Sequence, residues 1–185
     1  MDRKTWNVIK EAVDQAEFVL VGIGEEFQEA RGEDEKAREE KKRLIVSAYN
    51  RLAKLLQGKT YFIVTENRDD LIFASDLLDF FIVSPMGDEN RKSSGEEQWN
   101  SYLNWLAGTL NHRLCILELG VGFGSPQVIR WPFEKTAMFN LKSTLIRINA
   151  RFPQLTEQTA ERGVSIGENA LEVFAANEDV PSDIA

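Results

Sequence analysis

The sequence predicts an α/β fold: a doubly wound, mostly parallel sheet of about five or six strands, in three layers. Three observations predict it. Five short apolar runs alternate with stretches of helical spacing, the order expected of a parallel sheet with helices on both faces. The runs are continuously apolar, which suits strands covered on both sides. They also end in glycines or polar residues, and the carboxyl ends of parallel strands are where open α/β sheets bind ligands.

The clearest run is Leu114 to Leu119, followed by Gly120, Gly122 and Gly124 at alternating positions and then Ser125-Pro126. Ser125-Pro126 reads as an N-cap and first helical residue, so this stretch predicts strand, glycine turn and helix N-terminus, a natural anion site. Earlier in the chain, residues 3–16 carry Trp6, Ile9, Val13 and Ala16 at helical spacing. Phe18 to Val21 is the first strand, and Gly22 to Phe27 its glycine turn. Residues 29–43 are dominated by mixed charges and predict a solvated helix, with a lid over the first turn as the alternative. Apolar spacing returns from Leu44 to Leu56, and Gly58 stops the helix.

Tyr61 to Val64 is the second strand, ending in the polar cluster Thr65 to Asp70. A helix is expected from Leu71, a third strand over Phe80 to Val83, and a polar loop over 87–98. Trp99, Leu103, Trp105, Leu106 and Leu110 mark an apolar helix leading to the Leu114 strand. The helix after Pro126 should bend or break at Pro132. Thr144 to Asn149 is the fifth strand. Residues 155–162 form a short polar helix or turn, and Ile166 to Phe174 the last helix. Residues 1–176 thus read as a single domain, followed by an acidic, frayed tail over 177–185.

The net charge of −8 argues against a general nucleic-acid or anionic-membrane binder. The single cysteine, Cys115, falls inside a strand, which excludes an intrachain disulfide framework and a cysteine-built zinc site and suits a packing residue. No apolar run approaches a membrane span and the amino terminus is polar, so a cytoplasmic protein is expected.

Several residues have two readings. Gly22 and Gly24 fit a ligand turn or a tight turn alone. Gly120, Gly122 and Gly124 with Ser125 fit a phosphate-facing turn. Asn67 and Asp69 fit a site or the cap of the helix expected from Leu71. Glu25, Glu26 and Glu66 lie beside strand ends. They would repel a diphosphate unless a cation, Arg68 or Arg130 compensates, and one of them is a candidate for activating water. His112 falls at the amino edge of the sheet, away from the site. Trp99, Trp105 and Trp131 read as core. Arg130 and Arg147 read as surface ion pairs or phosphate ligands.

The ordered series of strand ends resembles the sirtuin family, and most closely its divergent bacterial members. It runs strand–Gly-x-Gly, strand–Thr-x-Asn-x-Asp, strand–x-Gly, strand–Gly-rich–Ser and strand–Asn, over residues 15 to 175. The resemblance implies a Rossmann-like domain that binds NAD or ADP-ribose at the carboxyl edge. It implies possible cleavage of the nicotinamide–ribose bond, by NAD hydrolysis or ADP-ribosyl transfer. Gly22, Gly24 and the neighbouring Glu25 would face the diphosphate. Thr65, Asn67 and Asp69, with Glu66 in place of the family's Gln, would lie at the nicotinamide and its ribose. Gly120, Gly122 and the Phe123–Ser125 stretch would meet the phosphates, and Asn149 the adenosine ribose. The family's catalytic His-Gly becomes Met86-Gly87, and the four zinc cysteines are missing. Standard deacetylation is therefore not expected, and a catalytically silent binding or scaffold module is the alternative. In that alternative the charged helix at 29–43 would be a protein partner's surface.

Overall fold

A computed structural model of the chain describes residues 3–29 and 34–176. The tail 177–185 and part of the 29–43 charged run lie outside the described residues. One parallel sheet runs through the molecule in the order β3-β2-β1-β4-β5-β6. Its long strands are β1 (Phe18–Ile23), β2 (Thr60–Thr65), β4 (Leu114–Leu119) and β5 (Ser143–Ile148). At the edges lie the two-residue β3 (Ile82–Val83) and β6 (Gly163–Ile166). The helices are α1 (Arg3–Gln15), α2 (Glu35–Leu55), α3 (Glu96–Gly108), α4 (Arg130–Phe139), the single turn α5 (Glu157–Ala160) and α6 (Ala170–Ala175).

Strand alternation divides the core into two halves. Val19, Val21 and Ile23 of β1 point to one face, where Ile9 and Val13 of α1, Ile45, Tyr49 and Leu52 of α2, and Phe174 of α6 cover them. Leu20 points to the other face with Phe62, Val64 and Ile116, under Tyr102 of α3 and Phe133 of α4. The result is the doubly wound, three-layer α/β architecture, Rossmann-like in strand order. Its order reverses between β1 and β4, and the crevice outside their carboxyl ends is where such sheets take ligands.

Four local expectations are corrected. The helix expected from Leu71 is only a 3₁₀ turn, Leu71–Ala74, and a second such turn covers Asp79–Phe81. Ile72 and Leu77 anchor this strap in the core at a spacing of five, which no helical face provides, and Asn50 Oδ1 accepts from the Asp76 N–H. The Phe80 strand consequently shrinks to Ile82–Val83. Pro126 does not open a helix. Residues 126–129 form a turn and α4 begins at Arg130. Pro132 then occupies the third helical position, where its missing N–H costs nothing, so α4 neither bends nor breaks there.

Residues 163–166 form a sixth strand, and the last helix starts only at Ala170. An added Cβ on Gly163 would lie 2.6 Å from Leu155 Cδ1 and 2.9 Å from Leu145 O, so the edge strand packs where a side chain could not fit. Trp131 is 56% exposed and is not core, whereas Trp99 and Trp105 pack against the second half.

Arg130 and Arg147 are buried, not surface residues. Arg147 donates to Glu118 at 2.6 and 3.1 Å and to Glu134 at 2.8 Å. Burial opposes its charge, but the two carboxylates overcome this and hold it charged above its ordinary range. Arg130 donates to the carbonyls of Val121 and Phe152, both at 3.1 Å, and its guanidinium lies 4.2 Å over the Phe123 ring. Arg130 thus ties together the loops that follow β4 and β5, and Arg147 joins β5 to β4 and α4.

Candidate functional site

The two glycine stretches meet at the switch point. Gly24 N–H donates to Leu119 O at 2.9 Å, and an added Cβ on Gly24 would overlap the Gly120–Val121 backbone. Gly120 has a φ of 66°, a left-handed conformation suited to glycine, and its N–H donates to Ile148 O at 2.8 Å. An added Cβ there would sit 2.5 Å from Glu26 Cβ. These glycines let the ends of β1 and β4 touch. Gly22 has a different task. It lies within β1, and a side chain there would overlap Ile129 and Phe133, so it lets α4 and the turn before it close on the sheet.

A cleft of about 960 Å³ opens beside these strand ends. Four carboxylates line it, from Glu25, Glu29, Glu66 and Asp69, against two arginines, Arg38 and Arg68. Gln28, Met86, Gly124 and Ser125 complete the wall. Of the residues expected at the site, Glu25, Glu66, Asp69 and Ser125 therefore meet in one place. Met86 lines the cleft where the resemblance put a histidine, and its thioether has no proton to exchange.

Glu66 is only 7% exposed, and its Oε2 has no hydrogen-bond partner. Burial pushes its carboxyl up to about 7, and the nearby Glu25 carboxylate adds to the rise. Glu25 is half-buried and pairs with Arg151 at 2.9 Å. An added Cβ on Gly122 would lie 2.6 Å from Glu25 Oε1, so the glycine leaves room for that carboxylate. Asp69 accepts from the Leu71 N–H at 3.3 Å, and burial raises its pKa.

Three other expected residues make their hydrogen bonds within the scaffold. Glu26 accepts from the backbone N–H groups of Ala150 at 2.9 Å and Ala170 at 2.6 Å, which ties it to α6, and it is not part of the cleft wall. Thr65 Oγ1 accepts from Asn67 N–H at 3.1 Å and shapes the turn after β2. Asn149 donates to Val121 O at 3.1 Å and accepts from the N–H groups of Arg151 and Phe152, both at 2.8 Å. It is buried and is not part of the cleft wall.

Asn67 is buried as well, beside Tyr49, and neither of its side-chain polar atoms makes a hydrogen bond of good geometry. Ser125 does not cap a helix, because α4 starts five residues later. His112 lies at the amino edge beside Glu17, 3.3 Å away, as its position before β4 implies. Cys115 is buried, its thiol pushed up to about 12 by desolvation, consistent with a packing residue.

Arg38, Gln28 and Glu29 had no signal as individual site residues. Arg38 belongs to the charged run whose alternative reading was a lid, and that reading put this stretch beside the first turn. Among the described residues no group of three or more His, Cys, Asp or Glu side chains is placed to hold a metal ion. No helix of the described residues is long and apolar enough to cross a membrane.

The sequence matches no protein-family model and no curated protein. Among solved structures the fold is similar to that of a Sir2 homologue, a triple mutant in complex with 2′-O-acetyl ADP ribose. The TM-score is 0.53 at 13% identity, over 95% of this chain and 94% of that one. The fold of this chain is therefore sirtuin-like.

Proposed function

We propose that the cleft binds NAD or ADP-ribose and cleaves the nicotinamide–ribose bond. The observation that carries this reading is Glu66: a buried carboxylate with one unpartnered oxygen, facing a cleft at the switch point of a sirtuin-like sheet. The similar structure holds an ADP-ribose derivative, which supports a ligand of the same class. The residues present fit such a ligand in part. Arg38 and Arg68 supply positive charge for a diphosphate, and Asp69 offers an acceptor for ribose hydroxyls.

The substrate supplies a positively charged nicotinamide, which leaves neutral when the bond to ribose C1′ breaks. Glu66 takes the proton of the water that attacks C1′. A carboxyl near 7 is matched to proton transfer at neutral pH. The surrounding carboxylates favour the cationic character that develops on the ribosyl carbon. Products are ADP-ribose, nicotinamide and a proton.

A second reading, a catalytically silent module, is favoured by the charge of the cleft. Four carboxylates outnumber two arginines, which disfavours a diphosphate. Incubating the protein with NAD and measuring released nicotinamide separates the two. The first reading expects turnover that falls about 100-fold or more in Glu66→Gln. No release by the native chain, or full release by the variant, supports the silent module or removes Glu66 from the chemistry.

A further inference from the structure

A second cleft, of about 360 Å³, lies between the strap after β2 and the approach to α3. It is small but within the size range of ligand pockets. Its walls combine two aromatic rings with two cations. Phe80 is 69% exposed, an unusual position for a phenyl ring, and it meets Phe81 edge-on at 5.2 Å, which leaves a face open. The Arg91 guanidinium lies 4.5 Å over the Phe73 ring. Lys92 is exposed on the rim and makes no ion pair among the described residues.

One buried donor in this wall lacks an acceptor. Ser93 is 6% exposed and its hydroxyl has no hydrogen-bond partner. Arg91 pairs through Nε with Asp70 Oδ1 at 2.9 Å and is partly exposed. The Gln98 amide N–H groups donate to the carbonyls of Phe80 and Ile82. A buried donor without an acceptor is uncommon in folded proteins, and the Ser93 hydroxyl belongs to a residue of the cavity wall.

We propose that this cleft is a second ligand site, and that it takes a small aromatic carboxylate. The ring stacks on the open face of Phe80. The carboxylate accepts from the Ser93 hydroxyl and pairs with Lys92 and Arg91, as planar anions do with a guanidinium. Asp79, on the same wall, repels a ligand whose charge is not held at the cationic end. This inference is independent of the chemistry proposed for the larger cleft.

Benzoate is the probe, titrated into the ¹⁵N-labelled chain and followed by amide shifts. Saturable shifts are expected at residues 79–81 and 91–94. Lys92→Met and Phe80→Ala, both exposed side chains, each weaken binding by about fivefold or more. Benzamide, which lacks the charge, and cyclohexanecarboxylate, which lacks the ring, bind more weakly than benzoate. The proposal is overturned if these amides show no saturable shift, if neither variant weakens binding, or if benzamide binds as well as benzoate.

Discussion

Glu26 Oε2 accepts the Ala170 N–H at 2.6 Å, across 144 positions of sequence. Its other oxygen accepts from Ala150 at 2.9 Å. One carboxylate thus ties the turn after β1 to the loop after β5 and to the first residue of α6. A helix N-terminus has unpaired N–H groups and a positive dipole end, so an anion there is favourable. Glu26→Ala leaves two N–H groups without their acceptor. It is expected to cost about 2 kcal/mol in urea unfolding, with a lower midpoint and an unchanged slope.

Gly24 and Gly22 test how closely the layers approach. Gly24→Ala forces a methyl into the Gly120–Val121 backbone, and Gly22→Ala forces one into Ile129 and Phe133. Each is expected to destabilise the protein by about 3 kcal/mol, the upper range for overpacking. Gly58 makes the contrast. It has a φ of 76° and nothing near its added Cβ, so Gly58→Ala should cost only the backbone strain, about 1 kcal/mol. Thermal unfolding of the three variants checks the order.

Arg147 is 1% exposed between Glu118 and Glu134. Arg147→Met leaves the buried Glu118 without its partner and is expected to cost about 3–5 kcal/mol. The double variant Arg147→Met with Glu118→Leu removes the stranded charge and should recover most of that loss. A double-mutant cycle measures the coupling directly.

The architecture was legible because it rests on burial. Short, nearly continuous apolar runs such as Phe18–Val21 and Leu114–Leu119, each ending at glycines, suit strands covered on both faces. The strap over 71–81 was not legible, because Ile72 and Leu77 are anchored by tertiary packing at a non-helical spacing. β6 was missed because it spans only four residues, Gly163–Ile166, and its two apolar side chains, Val164 and Ile166, are too few to register as a strand. At the site, strand ends gave the location, and Glu25, Glu66, Asp69 and Ser125 do meet there. Individual roles did not follow. Whether Glu26 faces solvent or grips Ala170, or whether Asn149 faces a ligand or holds Val121, depends on loops brought together by the fold. Arg130 and Arg147 look like surface charges in sequence, since a lone arginine carries no sign of the carboxylates or carbonyls that bury it.

Glu66 gives the protein a signed pH dependence. Its carboxyl titrates near 4.5 when unfolded and about 7 when folded, so the native state holds the proton more tightly. The stabilisation is full below pH 4.5 and is lost as pH rises to about 7. Glu66→Gln removes this dependence. The stability difference between variant and native chain should change by about 3 kcal/mol between those limits, measured by urea unfolding at each pH.

The most direct test of the central claim is a thermal-shift titration of the native chain with NAD and ADP-ribose, repeated with Arg68→Ala. Saturation at 100 times Kd should add about 2.7 kcal/mol of stability, and loss of the Arg68 charge should weaken the response. No shift with either ligand at millimolar concentration would contradict the nucleotide-binding account and leave the sirtuin-like fold without that function.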